Sequence, residues 1–371
     1  MVVTFSSEKN AVVCIQKNTY ENIDLESLLK PLNGIKKYVK RGNRVLLKTN
    51  LLTATTPERA VVTHPKVIEA VAKAVLNEGA TPVVGDSPSG AFSKRRLRRV
   101  YQNSGLIKLS KNLDIELNYD TSVKKIKIPQ GKKLKKTSIC NFLLDADKVI
   151  SLPKLKTHYL MIMTLATKIM FGVIPGLTKA RYHSRFIRKK DFADMLLDVL
   201  SISKPNLVIM DGIIGMQGEG PMSGIPVNLG VLMASNNSVA LDLSVCKMLD
   251  IEPTGIYVLK QAKLRNMWPE KIEHPLLLPD DVRYKDFVLP SNSGHLLTGE
   301  KKPKRFPVIN DKCTSCKDCV RICPKKAITI IDKKAHVAYS KCIQCYCCHE
   351  VCTYNAINLE SIDTNFQSKK I

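Results

Sequence analysis

The segments CTSCKDCVRICP (313–324) and CIQCYCCHEVCT (342–353) carry the same cysteine pattern, Cys-x2-Cys-x2-Cys-x3-Cys, at an offset of 29 residues. Cys313, Cys316, Cys319 and Cys323 are answered by Cys342, Cys345, Cys348 and Cys352. The register runs on past the cysteines, since Ala327-Ile328 and Ala356-Ile357 stand in equivalent places. A duplicated half-domain accounts for that offset. Of the 12 cysteines in 371 residues, nine fall between Cys313 and Cys352, so they are not spread as a disulfide framework would be. Thiols at this spacing read as metal ligands, and thiolates stay free for metal in a reducing compartment, which points to the cytoplasm.

Three closely spaced thiolates on a tight loop can wrap three irons of one cubane, and the fourth then serves the cluster of the other half. Zinc is the competing metal. It is satisfied by two Cys-x2-Cys pairs and has no role for a third cysteine at the same short spacing. The pattern resembles that of bacterial-type ferredoxins, over residues 307–360. The ligand sets expected on that pattern are Cys313, Cys316, Cys319 and Cys352 for one 4Fe-4S cluster, and Cys342, Cys345, Cys348 and Cys323 for a second. Pro324 follows the first run as the pattern asks, whereas Thr353 stands at the equivalent place in the second. The resemblance implies one-electron relay at low potential. Cys347 falls off the register and reads as a packed thiol beside a cluster, while Cys14, Cys140 and Cys246 lie in apolar stretches and read as core.

Upstream, short β-rich runs alternate with helical patterns. The strands expected are 12–16, 44–50, 81–86, 147–152, 206–211 and 229–234, nearly continuous apolar runs that suit strands covered on both faces. Helices are expected from Pro65 to a stop at Gly79, over Asp191–Leu200 and over Ser238–Leu249. The fold class is therefore α/β, a mostly parallel sheet with flanking helices, followed by a small α+β ferredoxin-like domain. The divisions expected are an α/β domain over 1–290, a linker over 291–306, the cysteine-rich domain over 307–360 and a frayed tail over 361–371. The N-terminal residues MVVTFSSEKNAVVCIQ have no signal-peptide pattern. The most apolar window, 159–177, is interrupted by Lys168, Gly172 and Pro175 and reads as a buried helix and a loop, with no membrane span.

Ligands of open α/β sheets bind beyond the carboxyl ends of the strands. Lys48 and Asn50, Asp86, Lys154 and Lys156, and Asp211 fall at such ends and make a candidate pocket for an anionic small-molecule substrate. The motifs Lys48-Thr49-Asn50, GDSP (85–88), SLPKLKTH (151–158), Lys168 with Phe171-Gly172, Tyr182-His183, DGIIGMQGEGPMSG (211–224) and 240–242 together resemble the family called domain of unknown function 362, whose members often carry a ferredoxin module. In place of the Asn that the family pattern sets after Lys168, this chain has Ile169.

Lys168, His158 and Asp86 are the catalytic candidates. A lysine in an apolar window lowers its pKa and can act as base or nucleophile, though a surface lysine with a buried stem looks the same in sequence. His158 and His183 are candidate bases or ligands. The glycines between Gly215 and Gly224 suggest a loop whose amides cradle an anion, yet the spacing is neither a dinucleotide fingerprint nor a P-loop. The net charge of +25 attracts acidic partners. The basic runs, at 94–99, 132–136, 181–190 and 301–305, have few interleaved aromatics, which argues against nucleic acid and favours an acidic redox protein. The function expected is electron transfer to or from a redox reaction in the α/β domain, an oxidoreductase or a subunit of one. The alternatives are an electron carrier or docking protein without chemistry of its own, and a non-redox enzyme with structural clusters.

Overall fold

The computed structural model describes residues 9–294 and 305–362. The start of the N-terminal segment, most of the expected linker, the 301–304 part of the last basic run and the tail from 363 lie outside the described residues.

Among the described residues, nine strands form one sheet. In chain order they are β1 (Cys14–Lys17), β2 (Arg44–Thr49), β3 (Thr81–Gly85), β4 (Glu116–Leu117), β5 (Lys148–Leu152), β6 (Lys154–His158), β7 (Ile162–Thr164), β8 (Leu207–Glu219) and β9 (Ser223–Ser235). The spatial order is β7-β6-β8-β5-β2-β3-β4, with β9 paired to β8 and β1 to β9. Pairings from β8 through β4, and between β8 and β6, are parallel; those of β7, β9 and β1 are antiparallel. The sheet is thus mostly parallel, as its unbroken apolar strands require.

Two apolar cores lie on its two faces. Along β8, Leu207 and Ile209 point into one core while Val208 and Met210 point into the other. Val45 and Leu47 of β2 alternate with Leu46 in the same way. That period of two is set by the pleat, and it makes both faces apolar in a strand without polar alternation. Helix α1 (Pro65–Asn77) starts where expected, with Pro65 in its first turn and the His64 ring accepting from the Lys66 amide. Also flanking the sheet are α2 (Lys94–Asn103), α3 (Ala166–Ile169), α4 (Gly176–Arg185), α5 (Lys189–Ile202) and α6 (Ser238–Met248). Cys14, Cys140 and Cys246 are buried in these cores.

Three local expectations are corrected. The run 12–16 is two strands: Asn10–Val12 pairs with Lys271–Glu273, and β1 begins after Val13. The glycine-rich stretch 215–224 is no anion-cradling loop, because β8 and β9 continue through it as an antiparallel ribbon that pairs Gly215 with Val227 and Glu219 with Ser223. Outside the ladder, the Gly218 and Gly220 amides are spent on the Val288 and Gly218 carbonyls. The window 159–177 is β7, the four-residue α3, a 3-10 turn over Met170–Val173 and the start of α4, not one helix. Among the described residues no helix is long and apolar enough to cross a membrane.

The cysteine-rich segment contributes β10 (Arg305–Ile309), α7 (Asp318–Ile322), β11 (Ile328–Ile331), β12 (Lys334–Val337), α8 (Cys347–Val351) and β13 (Ile357–Ser361). β10 pairs with β13 and β11 with β12, both antiparallel. The segment packs on the larger part through mixed contacts. Ala180 of α4 joins its apolar core with Ile322 and Val351. Tyr159 and Tyr346 meet edge to face at 4.8 Å, and the His349 ring is 2.8 Å from the Ser223 hydroxyl.

Candidate functional site

The two cysteine runs adopt matching backbones. Ser315 and Gln344, Lys317 and Tyr346, and Lys326 and Asn355 all have positive φ, between 51° and 64°, and each pair is 29 residues apart. These left-handed residues turn the chain tightly enough for three thiols on one loop to face one point. Lys317 and Tyr346 then open α7 and α8. The last cysteine of each run accepts a backbone amide: Ala327 N–H to Cys323 Sγ at 3.2 Å and Ala356 N–H to Cys352 Sγ at 3.3 Å.

Two cavities result. Cys313, Cys316, Cys319 and Cys352 line the first, with Ile309, Ala335 and Ile357; Cys323, Cys342, Cys345 and Cys348 line the second, with Pro307, Ile328 and Val337. All eight are free thiols. Cys347 belongs to neither wall. It interacts with Cys345, and that contact and burial push its thiol well up.

A third cavity lies between the cysteine-rich segment and the larger part. Asn50, Asp86, His158, Thr164, Lys168, Gly172, Lys179 and His183 face it from one side, and Ile322, Cys347 and Glu350 from the other. Ile322 and Cys347 are the chain neighbours of Cys323 and Cys348, so one wall backs directly onto the second quartet.

Buried ion pairs join several of the strand ends. Lys48 is completely buried and its ammonium lies 3.0 Å from Asp86, which also accepts the Leu51 amide at 2.6 Å. Gly172 crosses directly over that pair, and a Cβ there would collide with both Asp86 Oδ1 and Lys48 Nζ. Lys154 pairs with Asp211 at 2.8 Å, and the Tyr20 hydroxyl bridges them, accepting from Lys154 at 2.8 Å and donating to Asp211 at 3.0 Å. Lys156 donates to the Val61 carbonyl at 2.5 Å, and burial, with the charge of Lys168, pushes its ammonium down to about 7. Of the six strand-end residues expected to bind substrate, Asn50 and Asp86 thus line the cavity, while Lys48, Lys154, Lys156 and Asp211 are enclosed in the core.

Lys168 projects from α3 into the cavity. Its helix is fixed at the N-terminus by Asp242, a fully buried carboxylate that accepts the amides of Ala166 and Thr167 at 2.8 and 2.9 Å and the Thr167 hydroxyl at 2.6 Å. This is a cap supplied from α6, 75 residues on, and it explains the 240–242 motif. Burial lowers the Lys168 ammonium to about 8, partly offset by Glu350. Ile169 is buried in the core. Lys179 donates to the Ser87 carbonyl, and burial lowers its pKa too.

The His158 Nδ1 accepts the amides of Leu160 and Met161 at 3.2 and 3.4 Å, so the ring hydrogen sits on Nε2, 3.2 Å from Glu350. Burial pushes this imidazole down to about 4 and keeps it neutral. Burial alone would raise the Glu350 carboxyl, but His158, with His183 and Lys168, holds it below the usual carboxylate range. Two further groups at the cavity, Thr164 Oγ1 and His183 Nδ1, are buried without a hydrogen-bond partner among the described residues. Such groups cost about 1–3 kcal/mol each unless something pairs with them.

The sequence profile of the domain of unknown function DUF362 matches residues 45–247. The chain belongs to the DUF362 family. A 4Fe-4S dicluster domain profile matches residues 307–353, so this DUF362 member carries a C-terminal iron–sulfur domain of ferredoxin type. It is 36% identical, over 275 residues, to a thylakoid-associated protein of Synechocystis sp., covering 72% of this chain and 82% of that one. Among solved structures it is similar to the lactate racemase apoprotein from Thermoanaerobacterium thermosaccharolyticum, with TM-score 0.38 and 12% identity over 65% of this chain and 56% of that one. It is also similar to a Thermotoga maritima protein, with TM-score 0.35 and 11% identity over 67% and 59%. The DUF362 chain spans less than two thirds of each solved structure, and neither likeness bears on function.

Glu350, Lys179 and Thr164 escaped the sequence reading. Glu350 stands between two cysteines of the metal run, where neighbouring residues draw no notice. Lys179 stands just before the basic run at 181–190 and belongs to none of the motifs singled out. Only the Phe171-Gly172 and Tyr182-His183 motifs around Lys179 hinted at a site there.

Proposed function

We propose that the protein binds two 4Fe-4S clusters and exchanges electrons between them and an anionic small molecule held in the cavity between its two parts. The observation that carries this reading is adjacency: Ile322 and Cys347, which line the cavity with Lys168 and Lys179, are the chain neighbours of Cys323 and Cys348 in the second quartet. Cys313, Cys316, Cys319 and Cys352 would hold one cluster, and Cys323, Cys342, Cys345 and Cys348 the other. The donor geometry favours cubanes over zinc. Each quartet of thiols surrounds an apolar cavity, and zinc has no role for the third closely spaced cysteine of each run. When bound, such clusters supply one-electron exchange. Lys168 and Lys179 attract the substrate anion, Thr164 and His183 orient it, and the neutral His158 keeps Glu350 ionised at the wall. A reducing cytoplasm suits the free thiols.

The test is anaerobic reconstitution followed by electron paramagnetic resonance. About eight irons per chain and reversible reduction by dithionite are expected. Uptake of zinc in preference, or clusters that cannot be reduced, sinks the reading.

Lys168 supplies a pH test. Its ammonium is charged below about 8, in the field of Glu350, Lys179, Lys156, His158 and His183. Binding of small carboxylate or phosphate anions should therefore weaken as pH rises through about 8. In Lys168→Met the binding should be at least about tenfold weaker at pH 7, with the step gone. Isothermal titration across pH 6.5–9 checks this, and a variant that keeps the step removes Lys168 from the ligand site.

A further inference from the structure

The two quartets differ in what they face. The second backs onto the cavity, whereas the first lies at the surface, where Cys316 is the one exposed cysteine of the twelve. Helix α2 runs beside it. Arg96 turns inward to Asp318, 3.2 Å away on α7. Arg99 lies 5.6 Å from the ring of Tyr354, a residue lining the first quartet's cavity, and its guanidinium reaches the phenol at 3.3 Å. These contacts fix the helix against the quartet and leave Lys94, Arg95 and Arg98 exposed. Lys317 and Arg321 add exposed cations on the quartet's own loop, and Asp318 is already engaged by Arg96 and Arg321.

From this juxtaposition we propose that α2 and the loop at Cys316 form the docking surface for an acidic one-electron carrier protein, which exchanges electrons with the first cluster. The surface rests on the proposed cluster assignment. One cation-rich rim lies beside the exposed edge of one quartet, and the partner is chosen by charge complementarity: a carrier with an acidic face around its own redox centre is drawn to this edge, not to the second quartet, which has no exposed thiol. Electrons would then pass from partner to first cluster, to second cluster, to cavity, or the reverse, each carrier losing one electron as the next gains it. The run at 94–99 has no stacking platform of aromatics, which disfavours a nucleic-acid strand at the same place.

The probe is a small acidic flavodoxin, and the variant is Arg95→Glu with Arg98→Glu, two exposed side chains without a role in the cavity. Binding is measured on the reconstituted full chain by biolayer interferometry, and cluster reduction by stopped flow. The expected result is association at least tenfold slower at low salt, with a flatter salt dependence, while iron content and reduction by dithionite stay unchanged. Undiminished association in the variant overturns the proposal. So does a lack of flavodoxin binding by the unmodified protein, or tighter binding of a single-stranded oligonucleotide than of flavodoxin. Failure of the underlying cluster reading shows separately, as low iron content or no bleaching by dithionite in both proteins.

Discussion

Chelating iron from the reconstituted protein should unfold residues 305–362 and leave the large sheet folded. The elements of this segment are too small to stand alone. Its helices α7 and α8 are five residues each, well under the length at which an isolated helix is stable. Its strands are four or five residues, and its apolar core is small, a few isoleucines and valines interleaved with the cysteines. A chain this short has too little buried surface to offset its conformational entropy, so metal binding supplies the folding free energy. The larger part has two extensive apolar cores that need nothing from the cysteines. Hydrogen–deuterium exchange resolved by peptide is the measurement. The metal-free protein should exchange peptides from 305–362 to completion within minutes, with β2, β5 and β8 still protected. Ala180, left uncovered on α4, should gain exchange alongside them. Undiminished protection across 305–362 without metal would show that the segment folds on apolar contacts, and the clusters would lose their structural part.

The second large effect is expected at Gly172→Ala. The added methyl falls on Asp86 Oδ1 and Lys48 Nζ, two charged atoms with no room to withdraw because Lys48 is completely buried. Either the pair separates or the 3-10 turn that carries Gly172 lifts. Breaking a buried ion pair costs about 3–5 kcal/mol, because each charge is left without its partner in a poorly solvating interior. A loss of about 3 kcal/mol or more in urea denaturation is expected, together with weaker anion binding, since Asp86, Phe171 and Gly172 all line the cavity. An unchanged midpoint would mean that the turn can shift freely and that the close approach has no structural consequence. The prediction separates Gly172 from glycines such as Gly218, where a Cβ meets nothing within 4 Å and only the positive φ of 73° resists a side chain.

The parts of the molecule legible in the sequence are those whose information is local. Apolar runs of five or six residues identified the strands at Arg44–Thr49, Thr81–Gly85 and Lys148–Leu152 within a residue of their observed ends. Pro65 and the face of Val67 and Val71 identified α1. The stretch 215–224 misled because glycine is read as a loop signal, whereas here Gly215 sits where Leu155 and Leu229 press close against it within the ribbon. The strand-end lysines were legible as a group, but their fates were not. Lys48 and Lys154 have carboxylate partners 38 and 57 residues away, and only the sheet order, which sets β2 beside β3 and β6 beside β8, brings those partners within 3.0 Å.

The sequence by itself determined the class of fold and the metal chemistry, because a strand's pleat and a cysteine's spacing are properties of a few consecutive residues. Only the tertiary structure decided where the chemistry meets: Glu350 and Cys347 from the end of the chain closing a cavity begun at Asn50 and Asp86. It also decided which lysines face the cavity and which are enclosed in the core, and which quartet looks outward past α2. Such contacts join residues up to 300 positions apart. They arise from the packing of whole layers, which leaves no local trace in the sequence.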